Sequence, residues 1–168
     1  MTLPAEWFPF DRFGLNQETS LFPSGYFSDI SSVSARSIVF HYGSSADGKK
    51  NLLSCNGQAL LVPKAPFFAV HIAATATGGA ERNLTVLLRY KDGTTESRTR
   101  VLRDITAPAA SDDAVAFTTP RLHRPEGDSV GTLTVRHIVF PIAVTKELVS
   151  ITLPTDSKVK VFAVTLEK

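Results

Sequence analysis

The sequence predicts an all-β fold, an antiparallel β-sandwich or jelly roll, and three observations predict it. Apolar residues alternate with period two rather than 3.6. Short stretches rich in Val, Ile, Phe and Thr recur along the chain. Gly, Pro, Asp and Ser separate these stretches at sandwich-like spacing. No window of about 12 residues carries an amphipathic helical stripe. The 168 residues are read as one domain, 1–168, long enough to bury a core without a disulfide or metal staple.

The clearest element is the stretch Arg82–Tyr90, where Leu84, Val86, Leu88 and Tyr90 share one face. Lys91-Asp92-Gly93-Thr94 then offers a tight turn, because glycine accepts positive φ without steric cost. A polar, basic strand returns over Thr95–Arg103. Further strands are predicted at Ser37–Tyr42, Ala59–Val62, Phe67–Thr75 and Ala114–Thr119. Thr132–Val144 (interrupted by Pro141), Leu148–Leu153 and Lys158–Leu166 follow, giving eight or nine strands. Prolines 63, 66, 120, 125, 141 and 154 fall at or near strand ends, where a missing N–H is tolerated. Short helical turns are expected at Ser31–Arg36 and Thr145–Glu147. Long loops are expected at Asn16–Ser34, Ile105–Asp113 and Leu122–Gly131.

Composition excludes several classes. With 43% hydrophobic and 20% charged residues the chain is no disordered tail, collagenous repeat or coiled coil. A net charge of +2 does not mark a nucleic-acid binder. Cys55 is the one cysteine, so neither an intramolecular bridge nor a Cys-based zinc site can form, and it reads as a packed thiol. No EF-hand spacing, nucleophile elbow, phosphate loop or dinucleotide fingerprint occurs, so no metal and no cofactor is predicted; a structural calcium at a loop stays open. Met1–Asp11 lacks a basic n-region and an apolar h-region, and no apolar run approaches a membrane span. The expectation is a cytoplasmic chain, or a trimmed piece of an exported one, with no membrane partner.

Three segments carry a resemblance. Tyr90-Lys91-Asp92-Gly93-Thr94-Thr95-Glu96-Ser97, Pro120-Arg121-Leu122-His123-Arg124-Pro125-Glu126-Gly127, and Val149–Pro154 followed by Val161–Leu166 fall in matching order and spacing. Over about residues 57–166 the chain resembles the galactose-binding-like β-sandwich domains attached to glycoside hydrolases. The N-terminal third departs from their pattern. The resemblance implies a non-catalytic, carbohydrate-interacting accessory module.

Candidate chemistry is sparse. Arg121 and His123, two residues apart in extended chain, project to one side; the guanidinium could hold a carboxylate or sugar hydroxyls while the imidazole moves a proton. An ion pair of this loop with Glu126 or Asp128 would explain the same residues without a ligand. His41 and Tyr42 sit at a strand end where their tips can reach a cleft opposite. His137 is in phase with Leu133, Val135 and Val139, and His71 lies in a strand apolar on both faces; both read as core histidines with satisfied hydrogen bonds. Trp7 could form part of a sugar-binding platform or simply close the sandwich. The basic strand pair, with Arg98 and Arg100 on one face, reads as edge protection against aggregation.

Three functions fit these readings. The first is a carbohydrate-interacting accessory module whose ligand-binding residues are Arg121, His123, Tyr42, His41 and Trp7. The second is a small stand-alone enzyme, an isomerase, cyclase or hydrolase, that acts on a small apolar molecule by His, Tyr or Arg acid–base chemistry. The third is a protein-interaction domain. The expected partner is a small molecule or carbohydrate, not nucleic acid.

Overall fold

A computed structural model describes residues 16–18, 27–30, 38, 40, 42, 50–122 and 129–168. Among them the chain forms eleven strands and no helix: β1 (Asn16–Glu18), β2 (Phe27–Ile30), β3 (Lys50–Ser54), β4 (Ala59–Leu61), β5 (Ala69–Ala76), β6 (Arg82–Tyr90), β7 (Thr95–Leu102), β8 (Val115–Leu122), β9 (Ser129–Pro141), β10 (Leu148–Thr152) and β11 (Val159–Glu167). A large sheet runs β1-β3-β11-β5-β9-β8, with β2 also paired to β11, and a small sheet runs β4-β10-β6-β7. Pairing is antiparallel except where β1 joins β3 and β2 joins β11. Two sheets face to face make the predicted sandwich.

Alternation decides which side chains fill the space between the sheets. Leu84, Val86, Leu88 and Tyr90 of β6 meet Val70, Ile72, Ala74 and Ala76 of β5 and Val159, Val161, Val164 and Leu166 of β11 in one buried cluster. Val86 and Leu88 are 0% exposed, so the register follows the period-two pattern. The hairpin β6–β7 closes where expected: Gly93 N–H donates to Tyr90 O at 3.0 Å, and Gly93 holds φ +85°.

A second cluster lies on the outer face of the large sheet. It joins Leu52, Ala73, Leu133, Val135, Phe162 and Ala163 with Ile105, and Phe40, Ala116 and Phe117 pack against it. The large sheet is therefore apolar on both sides, which is why β5 is buried at every position.

Some expectations need correction. The stretch 16–34 is not a plain loop, since it carries β1 and β2. The described residues of the expected strand Ser37–Tyr42, namely Ile38, Phe40 and Tyr42, take part in no ladder. The rings of Phe40 and Tyr42 lie on the large sheet instead, so side-chain packing rather than backbone pairing holds them. Strand β3 had no counterpart among the expected strands. The connection between β8 and β9 is confined to 123–128 because both strands extend further than predicted. The expected turn Ser31–Arg36 lies outside the described residues.

Candidate functional site

The outer face of the large sheet brings three polar side chains together. Register sets His71 opposite both Val139 on β9 and Thr165 on β11, and sets Ala73 opposite His137. His71, His137 and Glu167 thus stand on adjacent strands, on the face turned away from the small sheet. His71 Nδ1 lies 2.8 Å from His137 Nε2, and His71 Nε2 lies 2.9 Å from Glu167 Oε2. His71 is buried and His137 half-buried.

The direction of this hydrogen-bond chain follows from where the ring protons sit. An ionised carboxylate only accepts, so His71 carries its proton on Nε2. In the form with one proton on each ring, His71 Nδ1 accepts and His137 donates from Nε2. The lone pair of neutral His137 is left on Nδ1, which has no hydrogen-bond partner among the described residues. Burial, and then the neighbouring His71, hold the His137 imidazole below its ordinary value, so it is neutral at pH 7.

Aromatic rings wall this site. Phe40 meets His137 edge-on at 5.2 Å between ring centres, and Tyr42 meets Phe117 likewise at 5.1 Å. Phe117 in turn stands on Phe162 at 5.9 Å. Tyr42 remains 39% exposed, yet the rings around it desolvate the phenol and push it up to about 12. It is therefore a neutral hydrogen-bond donor at pH 7.

A buried arginine holds the neighbouring loop. Arg136 points to the opposite face from His137 and is 2% exposed. Its Nε donates to Asp113 at 3.1 Å, and its terminal nitrogens donate to the carbonyls of Arg103, Asp104, Ala107 and Thr134. This clamp ties 103–113 to β9, and His137 N–H reaches Ala114 O at 2.8 Å beside it. Strand β8, which carries Phe117, is thereby set against the site. Lys160 is a second buried cation; its Nζ donates to Ser54 Oγ at 2.8 Å, and burial followed by Lys158 pushes it down to about 8. Neither Arg136 nor Lys160 was a candidate from the sequence. Each stands at a buried position of an apolar strand, and for Arg136 that phase, shared with Ile138 and Phe140, was the available signal.

Of the site residues predicted from sequence, the structure brings Tyr42 to the aromatic wall. Arg121 lies on β8 with its backbone opposite Val130. Val130 precedes His137 by seven positions on β9, about 23 Å at roughly 3.3 Å per residue. Trp7, His41 and His123 lie outside the described residues. The histidines read as core residues are the ones that meet, because β5 and β9 are neighbours although 66 positions separate the two rings.

The described residues thus form two sheets and no helix, with a second apolar layer outside the larger sheet. The sequence matches the AziU2-like beta-sandwich domain over residues 10–168. The chain belongs to that family. No curated protein is significantly similar to it in sequence. For the resemblance drawn from the turn motifs, family and fold together support a β-sandwich and go no further toward the galactose-binding-like accessory type. Elsewhere on this AziU2-like domain, Lys64, Ala65, Pro66, Val144, Thr145, Lys146 and Glu147 line an open groove of about 380 Å³ at one end of the sandwich. There Lys146 is held by Thr94 at 2.8 Å and Asp92 at 3.4 Å, and Lys91 by Glu147 at 3.0 Å. Among the described residues no group of three His, Cys, Asp or Glu side chains is disposed to hold a metal, and no helix is long and apolar enough to cross a membrane.

Proposed function

We propose that the chain is a small-molecule enzyme of the general acid–base type, with His137 Nδ1 as the proton acceptor. The observation that carries this reading is the unbroken chain His137–His71–Glu167 ending on an unpartnered imidazole nitrogen. A base works best when neutral at the operating pH and oriented by a second group, and both conditions are met. When Nδ1 takes a proton from a substrate, the Nε2 proton of His137 passes to His71 Nδ1. The positive charge then rests on His71, beside the Glu167 carboxylate, instead of on the ring that faces Phe40. Return of the proton follows the same path backwards. His71 and Glu167 are positioning residues; His137 alone touches the reacting atom.

The test uses 5-nitrobenzisoxazole, a neutral compound whose ring opens when a base removes one proton. His137→Ala should reduce the protein-catalysed rate to that of buffer, and added imidazole should restore part of it. Equal rates in the wild type and His137→Ala would overturn the proposal.

One observation favours a second reading, a carbohydrate-interacting module. The end groove places Lys146, Glu147 and Thr145 beside exposed Val144 and Pro66, polar groups next to an apolar step that could receive a sugar face. Calorimetry against mono- and oligosaccharides would show binding lost on Glu147→Ala but kept on His137→Ala. Saccharide binding without benzisoxazole turnover would decide for this reading.

A further inference from the structure

The surroundings of His137 also select the class of molecule it acts on, an inference that rests on the acid–base reading above. We infer that the site takes an uncharged aromatic or conjugated small molecule and discriminates against carboxylates and other anions.

Shape and charge both lead there. Phe40 stands edge-on to His137, Tyr42 lies tilted beside Phe40, and Phe117 is edge-on to Tyr42, so the base adjoins a continuous aromatic cluster whose faces and edges suit a flat, uncharged ring. Register adds Ala73, Val135 and Val139 to the same face, all without polar side-chain atoms. Glu167 supplies a negative charge through His71. The two buried cations are engaged elsewhere. Arg136 faces the other side of the sheet and is consumed by Asp113 and backbone carbonyls. Lys160 starts from β11 but directs its amine away from β9, to Ser54 on β3.

Proton bookkeeping agrees. A neutral substrate gives up a proton to Nδ1, keeps the bonding electron pair and becomes an anion. At that moment the His71 imidazolium neutralises Glu167, so the new anion faces a group of no net charge. An anionic substrate would instead bind against the bare carboxylate charge and end as a dianion. At an effective dielectric constant of about 20 and a separation of about 10 Å, that repulsion weakens binding roughly tenfold.

Benzyl alcohol and benzoate test this, since they share a ring and differ in charge. Each is titrated into isotope-labelled protein at pH 7.5 while the His137 and Tyr42 ring resonances are followed by NMR. Benzyl alcohol should shift both, with benzoate about tenfold weaker or more. Glu167→Gln, which keeps an acceptor for His71 without the charge, should bring the two affinities together. Should that variant not fold, Phe117→Leu should weaken benzyl alcohol while leaving the preference in place. Equal affinity of the two probes in the wild type, or no shift at His137 with saturating benzyl alcohol, would overturn the inference. Failure of the parent reading looks different: the preference is present, but benzisoxazole turnover is not.

Discussion

Replacing Arg136 by methionine keeps the length of the stem and removes the guanidinium, and the structure sets the expected cost. The guanidinium is 98% buried by side-chain area and bonds Asp113 and four carbonyls. Breaking a buried, hydrogen-bonded charge pair costs about 3–5 kcal/mol, largely because the groups left behind lose their partners. Asp113 keeps 16% of its side chain in water and the carbonyls lie near the loop 103–113, so the lower end, about 3 kcal/mol, applies. At roughly 2–4 °C per kcal/mol for a chain of this size, the melting point should fall by about 6–12 °C. Differential scanning calorimetry reads the shift. Asp113→Asn combined with Arg136→Met should cost clearly less than the two single changes added. A melting point within about 2 °C of wild type, or strict additivity, would refute the clamp.

Four further outcomes follow from the same structure. Burial works to raise the Asp113 carboxyl, but the Ala110 N–H, the Arg136 hydrogen bond and the charges of Arg136 and Arg103 outweigh it and hold the group below its ordinary value. Its stabilisation is therefore complete above the unfolded value near pH 4 and lost as pH falls through the lower folded value, and acid titrations should show that loss in wild type but reduced in Arg136→Met. Val86→Asp places an unpaired carboxylate where exposure is 0%, so a loss of about 4 kcal/mol or more is expected, seen as absent or aggregated protein; a normal melting curve would contradict the register. Gly93→Ala should cost about 1 kcal/mol purely through φ +85°, since nothing stands within 4 Å of the added methyl, and Gly93→Asn should cost less in chemical denaturation. Burial pushes the Cys55 thiol up to about 12, so a disulfide reagent at pH 8 should modify it only after unfolding; free-thiol reactivity in native protein would place Cys55 outside the core.

What could be read in the sequence is what local periodicity encodes. Leu84, Val86, Leu88 and Tyr90 needed only alternation, and Gly93 only the conformational freedom of glycine, so strand, register and turn were all legible. His137 was put in the correct phase with Leu133 and Val135, on a face that is indeed apolar. The partnership with His71 was not legible, because it depends on β5 lying beside β9, and no local pattern specifies which strands become neighbours. The same gap hid β3, whose Leu52 and Leu53 serve opposite faces of a sheet buried on both sides, leaving no alternation to detect. Arg121 and His123 could be singled out because residues two apart in extended chain project to one side, whereas His71, His137 and Glu167 come together from three separate strands, which no local spacing encodes.

The account turns on which nitrogen of His137 is free, and long-range 1H–15N correlation spectroscopy of the two imidazoles reads this without any substrate. At pH 7 His137 should be neutral and protonated on Nε2, with its Nδ1 signal in the range of an unprotonated ring nitrogen. On acidification His137 should stay neutral below its ordinary value near 6.5, since burial and His71 both disfavour its charged form. Because the rings share a 2.8 Å contact, a proton taken up by His137 should move the His71 signals as well. Glu167→Gln and His71→Ala should each alter the His137 titration. A His137 ring protonated on Nδ1 at pH 7, or a His137 titration indifferent to both His71 and Glu167, would contradict the proton path and the function built on it.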